Sequence, residues 1–145
     1  MSVLGSREHY CIHKEVSKSK NKNEECTALL EAQSCKFHHN AHKVFNHLSG
    51  LCRHLPEVWD VEDLVKAGTA VGVGCPYFGA KHIAQGADII FCPYNYVIDP
   101  VIRKSMEISL KDAVLIFDEA HNAEDIGRQA ASRDFEFSDL RGAPM

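Results

Sequence analysis

Five consecutive apolar residues at 113–117 (AVLIF) run straight into Asp118-Glu119-Ala120-His121-Asn122. An unbroken apolar run of strand length suits a central parallel strand covered on both faces. Ligands of open parallel sheets bind beyond the carboxyl ends of the strands, so this acidic turn is expected at the rim of a site. Residues 88–92 (DIIFC) form a second run of strand type, and Val3-Leu4 reads as the end of another strand. One helix is predicted from Asp60 as N-cap, with Glu62 and Asp63 at its positive end and Gly68 as its stop. Another runs from Pro76 to about Gln85, ended by Gly86. A third is capped by Asp99, starts at Pro100 and ends near Met106 or Glu107; a fourth begins at DEAHN. This alternation after Cys75 predicts an α/β doubly wound layer.

The first half lacks that rhythm. Residues 17–25 (SKSKNKNEE) read as a solvated loop, 24–32 as helix-forming, and 36–54 as His- and Asn-rich with weak periodicity. The chain therefore divides near residues 80–85. An apolar content of 45% and a charged content of 25% exclude wholesale disorder. The net charge of −4 and pI near 6.1 are not those of a free-standing DNA-binding domain. If DNA is the partner, other parts of a longer chain must supply most of the positive surface. No run approaches the roughly 20 apolar residues that span a bilayer, and the first residues lack the apolar core of a secretory signal. No membrane association is expected. Six cysteines without an export signal point to a reducing compartment, where thiol clusters bind metal more often than they pair.

In P-loop nucleotidases a carboxylate at a strand end helps to hold Mg²⁺, and a second beside it can orient the attacking water. Asp118 is assigned to magnesium and Glu119 to the water. His121 would report the nucleotide state towards DNA by hydrogen bonding. The bland alternative is a solvated acidic turn after a core strand. No G-x-x-x-x-G-K-[ST] occurs, and Gly72 and Gly74 do not replace it. This chain is therefore expected not to hydrolyse ATP by itself.

The cysteines are Cys11, Cys26, Cys35, Cys52, Cys75 and Cys92, with no C-x-x-C pair among them. That spacing weakens a zinc-knuckle reading without excluding a metal, because ligands need only converge in space. Iron–sulfur ligands are often followed by proline, which suits Cys75-Pro76 and Cys92-Pro93 alike. Cys92 ends an apolar strand and reads as a core thiol, whereas Cys52 is a ligand or nothing. His38, His39 and His42 beside Cys35 leave a Cys/His zinc site open.

The ordered segments SREHYCIHKEV, SCKFHHNAHK, DVEDLVKAG, CPYFGAK, ADIIFCPYNYVIDP and LIFDEAHNAED resemble the XPD-like iron–sulfur DNA helicases of superfamily two, in their DEAD_2 region. The resemblance covers nearly the whole chain. It implies a fragment of a P-loop (RecA-like) α/β motor domain carrying an inserted, mostly helical four-cysteine domain. It implies five-prime-to-three-prime translocation on DNA driven by ATP with Mg²⁺, and a 4Fe–4S cluster held by Cys11, Cys26, Cys35 and Cys75. Arg7 would lie near that cluster, where a cation suits a net-negative thiolate cage. Residues 1–9 would end a motor strand, 10–82 form the cluster domain, 83–132 belong to the motor, and 133–145 begin the arch insertion. The family's phosphate loop and second motor domain have no counterpart in these 145 residues. Single-stranded and forked DNA, ATP and DNA-repair proteins would be the partners, and the nucleus the compartment.

Single-strand binders pair backbone charge with aromatic platforms. Candidates for DNA contact are Tyr10, His13, Lys14, Lys36, Phe37 and Lys43, with Tyr94, Asn95 and Tyr96 in the CPYNY turn. For each, packing is the ordinary alternative. Two other function classes compete with the helicase: a non-catalytic zinc-binding interaction module and a small electron-transfer protein.

Overall fold

Ser2–Val3 forms β1 and pairs in parallel with β2, Ile90–Phe91, with Ser2 opposite Ile90 and Val3 opposite Phe91. The rungs are Ser2 N–H to the Ile89 carbonyl at 2.9 Å and Leu4 N–H to the Phe91 carbonyl at 2.7 Å. The computed structural model describes residues 1–45 and 55–132, and the chain divides into two units, Met1–Pro93 and Tyr94–Met145. Cys52 and the expected start of an insertion at 133–145 lie outside the described residues.

In the first unit, α5 (Pro76–Ala84) lies against β1. The wholly buried Ser2 hydroxyl donates to the Ala80 carbonyl at 2.9 Å, which meets the hydrogen-bond requirement of a polar group without water. The one-turn helix α1 (Arg7–Tyr10) buries Tyr10 completely, and the Tyr10 hydroxyl donates to the Val3 carbonyl at 2.6 Å. Residues 17–25 are not one loop: a 3₁₀ turn covers Val16–Lys18 and α2 runs Lys22–Glu31. The Asn21 side chain caps α2 by accepting from Glu24 N–H, and Glu24 and Glu25 suit its positive end. The weakly periodic stretch holds α3, Lys36–Val44, which buries Phe37 and Ala41, one turn apart on one face.

The helix predicted from Asp60 is α4, Val61–Val71, with a reciprocal capping box between Asp60 and Asp63. It overruns the expected stop at Gly68 and ends at Gly72, whose φ of 67° is the left-handed conformation of a helix stop. Gly68 serves packing instead. A Cβ there would lie 2.6 Å from Pro76 Cγ, so α4 can approach the start of α5 only over a residue without a side chain.

The second unit holds α6 (Tyr94–Ile98), α7 (Pro100–Met106), a 3₁₀ turn at Ala120–Asn122 and α8 (Ala123–Ala131). Asp99 caps α7 as expected, accepting from Val101 N–H at 2.7 Å and Ile102 N–H at 3.0 Å. Tyr96 and Met106 are buried between these helices. The expected central strand at 113–117 is not formed. The sheet among the described residues has two strands, β1 and β2, and Val114 and Ile116 are 88% and 91% exposed. An apolar run becomes a buried strand only with hydrogen-bonding neighbours and a cover on each face, and the described residues provide neither here.

Gly68→Ala is expected to destabilise the first unit by about 1–3 kcal/mol, the usual cost of overpacking. Thermal unfolding measures it, and an unchanged midpoint would mean that α4 and α5 do not meet at this glycine.

Candidate metal centre

Cys11, Cys26, Cys35 and Cys75 line one cavity of about 320 Å³, counting the space that opens to solvent. Each thiol comes from a different local structure. Cys11 ends α1, Cys26 sits within α2, and Cys35 and Cys75 are the N-cap residues of α3 and α5. A helix start carries partial positive charge and unpaired N–H groups, which favour an anionic sulfur. The two helix starts are joined directly, because Cys75 N–H donates to the Phe37 carbonyl at 3.0 Å. Pro76 at the first position of α5 removes an N–H that would have had no partner.

The thiols also lie within electrostatic reach of one another. Burial raises the Cys75 pKa to about 12, opposed by the backbone N–H groups of Phe78 and Tyr77; neighbouring Cys35 and Cys11 raise it further. Burial also raises the Cys11 pKa. The His13 backbone N–H opposes that rise, Cys26 and Cys35 add to it, and Lys22 lowers it. Four thiolates in this wall would repel one another unless a cationic centre lay between them. Among the described residues, no three His, Cys, Asp or Glu side chains are gathered closely enough to hold a single metal ion.

Arg7 lies over the Tyr77 ring, with Cζ 4.5 Å from its centroid, and Nη1 is 3.5 Å from Asn23 Oδ1. Its Nε is buried without a hydrogen-bond partner. Burial raises the Tyr77 pKa; Arg7 lowers it, and Cys26 and Cys75 raise it. Tyr77 therefore links the guanidinium to the thiols, a role that sequence reasoning missed. The signal was its place two residues after Cys75, in the first turn of the helix that Cys75 caps.

The candidate DNA contacts divide. Tyr10 is a core residue with its hydroxyl engaged, and this corrects the expectation that it reaches DNA. Phe37 is buried in the cavity wall, edge-on to His13 with centroids 6.1 Å apart, which likewise removes it as a stacking platform. His13 lines the same cavity. Lys14, Lys36 and Lys43 are exposed; Tyr94 and Asn95 are half-buried; Tyr96 is buried and so is corrected in the same way. The His38 ring packs edge-on to Phe78 at 4.4 Å, and His39 Nε2 lies 3.0 Å from the Gln33 carbonyl, so these rings are engaged elsewhere than at Cys35. Cys92 is not part of the cavity wall.

In the second unit Asp118, Glu119 and His121 are all exposed. Glu119 adopts a φ of 52° and its Oε2 lies 3.2 Å from His121 Nδ1. The turn thus follows an extended segment and leads through a 3₁₀ turn into α8, rather than standing on a paired strand. Tyr94 and Phe117 flank that segment, with ring centroids 5.8 Å apart.

The first unit thus combines helices, a two-stranded parallel sheet and four thiols on one cavity, and the second carries an exposed acidic turn. The DEAD_2 family profile matches residues 1–140, and the chain belongs to that family. It is 48% identical over 148 aligned residues to a Fanconi anemia group J protein homolog of Gallus gallus, an alignment covering 99% of this chain and 12% of that protein. It is 38% identical over 146 residues to a regulator of telomere elongation helicase 1 homolog of Aedes aegypti, covering 95% of this chain and 14% of the relative. The corresponding homolog of Oryza sativa subsp. japonica is 44% identical over 137 residues, covering 92% and 13%. The chain thus spans about an eighth of the length of these relatives. No helix among the described residues is long and apolar enough to cross a membrane.

Arg7→Ala is expected to lower the stability of the first unit by about 1 kcal/mol, the scale of a partly buried cation–π contact. Arg7→Lys should recover only part, because an ammonium does not reproduce the stacked planar fork. A Lys variant as stable as the original chain would reduce Arg7 to a simple charge.

Proposed function

We propose that this chain is the cluster-bearing and magnesium-binding part of an ATP-dependent five-prime-to-three-prime DNA helicase that acts in DNA repair and genome maintenance in the nucleus. The observation that carries the proposal is the convergence of Cys11, Cys26, Cys35 and Cys75 on one cavity, while Cys92 stands apart. Membership of the DEAD_2 family and the similarity to the helicase relatives support it.

The donor set fits a 4Fe–4S cluster. Four soft thiols in a largely apolar wall are the usual cage of such a centre, and the partnerless buried Nε of Arg7 supplies positive charge beside it. When bound, the cluster supplies a covalent cross-link among the segments that carry the thiols. The chain's own residues do the rest. The N-termini of α3 and α5 stabilise thiolate charge at Cys35 and Cys75, and the Tyr77 and Phe78 N–H groups hold the Cys75 sulfur in place. Residues 10–82 form the cluster domain, and 1–9 with 83–132 belong to the motor. The pairing of β1 with β2 supports that division, since the strands that flank the cluster segment are neighbours. Residues 133–145 begin the arch insertion.

Asp118 offers a hard oxygen donor to the Mg²⁺ of Mg-ATP. Glu119 orients and deprotonates the attacking water, and His121, already beside the Glu119 carboxylate, couples that group to the DNA side. Lys14, Lys36 and Lys43 contribute backbone charge for single-stranded and forked DNA, and Tyr94 and Asn95 contact it from the motor side. DNA-repair proteins are the expected partners. Without a phosphate-binding loop in its sequence, the chain itself is expected not to turn over ATP.

Anaerobically purified protein should be brown, with broad visible absorption and bound iron. Ser at position 11, 26, 35 or 75 should bleach it and loosen the first unit, because metal binding there is part of folding. Ser at 52 or 92 should do neither; a colourless protein with stoichiometric zinc would refute the cluster. In a protein of the relatives' length, Glu119→Gln should abolish ATP turnover while nucleotide still binds, and turnover at the original rate rejects the role given to Glu119.

A further inference from the structure

Apart from the four thiols, the cavity is lined by Ile12, His13, Val16, Leu29, Phe37 and Phe78. Five of these six are hydrocarbon side chains. His13 alone brings a polar hydrogen-bonding side chain to the wall, and it does so from a fixed position. Its Nδ1 accepts from Val16 N–H at 3.4 Å, and its ring meets the Phe37 ring edge-on, 89° apart in plane. A neutral imidazole that accepts at Nδ1 carries its proton on Nε2. Among the described residues no further hydrogen bond to this ring is found, so its N–H is uncommitted within the protein. The backbone of the same residue steadies the Cys11 sulfur.

Resting on the cluster reading above, we infer that His13 is a positioning residue for the metal–sulfur centre: it supplies the side-chain hydrogen bond that sets the centre's reduction potential. A cluster's potential depends on its net charge, its burial and the hydrogen bonds to its sulfurs. One-electron reduction makes the core more negative, and an N–H donor stabilises the reduced state more than the oxidised one. In a wall this apolar no other side chain can take the place of a lost donor, so a single N–H has a large influence. Lys14 and Lys36 lie near His13 and Phe37 in sequence but are exposed, where water screens their effect on the cavity.

The test uses the full 145-residue chain, purified anaerobically and titrated with dithionite against mediator dyes, as the original sequence, His13→Phe and His13→Gln. Phe keeps an aromatic ring against Phe37 without the N–H, and Gln restores an N–H donor without the ring. The expected result is full iron in all three, a more negative potential for Phe, and a Gln value displaced back towards the original. Full iron with an unchanged potential in His13→Phe overturns the inference and leaves the cluster assignment intact. Loss of iron from Phe with retention by Gln still assigns the role to the donor. Loss from both makes His13 a packing residue and overturns it. Absence of iron from the original chain fails the cluster reading itself, which the iron assay registers before any potential is measured.

Discussion

The bond from Cys75 N–H to the Phe37 carbonyl holds the first unit's chemistry in place. It joins the first turn of α3 to the residue that caps α5, and so brings two helix starts to one point. Behind that junction Phe45 is wholly buried against Gly79, where even a Cβ would collide with the ring. The helices therefore cross closely at Gly79 while their capping cysteines stay together. α1 and α2 complete the enclosure from the opposite side. A polar tether between Lys22 Nζ and Glu8, at 2.8 Å, links them at the surface.

This geometry concentrates groups whose charged forms are mutually unfavourable. Burial favours the protonated thiol at Cys11 and Cys75, and neighbouring thiolates push both further the same way. The counterweights are few: helix starts at Cys35 and Cys75, peptide N–H groups at Cys11 and Cys75, and the Lys22 ammonium near Cys11. None neutralises the whole set, which is why a cationic centre is the occupant proposed above.

Local chemistry was the legible part of the sequence. Asp60, Pro76 and Asp99-Pro100 mark helix starts because capping and proline geometry depend on a few neighbouring residues. Gly68 misled for the complementary reason: it serves the close approach of the next helix at Pro76 rather than the ending of its own. Spacing could not select the ligand thiols, since convergence of Cys11 with Cys75 is a tertiary property; the family resemblance named the same four that line the cavity. Tyr10 and Phe37, near basic residues, and Tyr96, in the CPYNY turn, suit base stacking and packing alike, and only burial decides between them. The run at 113–117 has the composition of a covered strand, but composition cannot provide the neighbours that would cover it. Its acidic turn is thus readable as chemistry and not yet as rigid geometry.

The adjacency of Ser2 and Ile90 has a consequence for how such a chain can change. The polypeptide leaves one strand and rejoins the sheet at the very next position, so everything between them is a detour whose two ends are already fastened side by side. A detour of this kind can be lengthened, shortened or exchanged without altering the register of the strands that bracket it. Closing a longer one adds only a slowly growing entropic penalty, about 0.6 kcal/mol per doubling of loop length. The helices and sulfurs carried in that detour form a cassette whose size can vary without disturbing the pairing of the two strands.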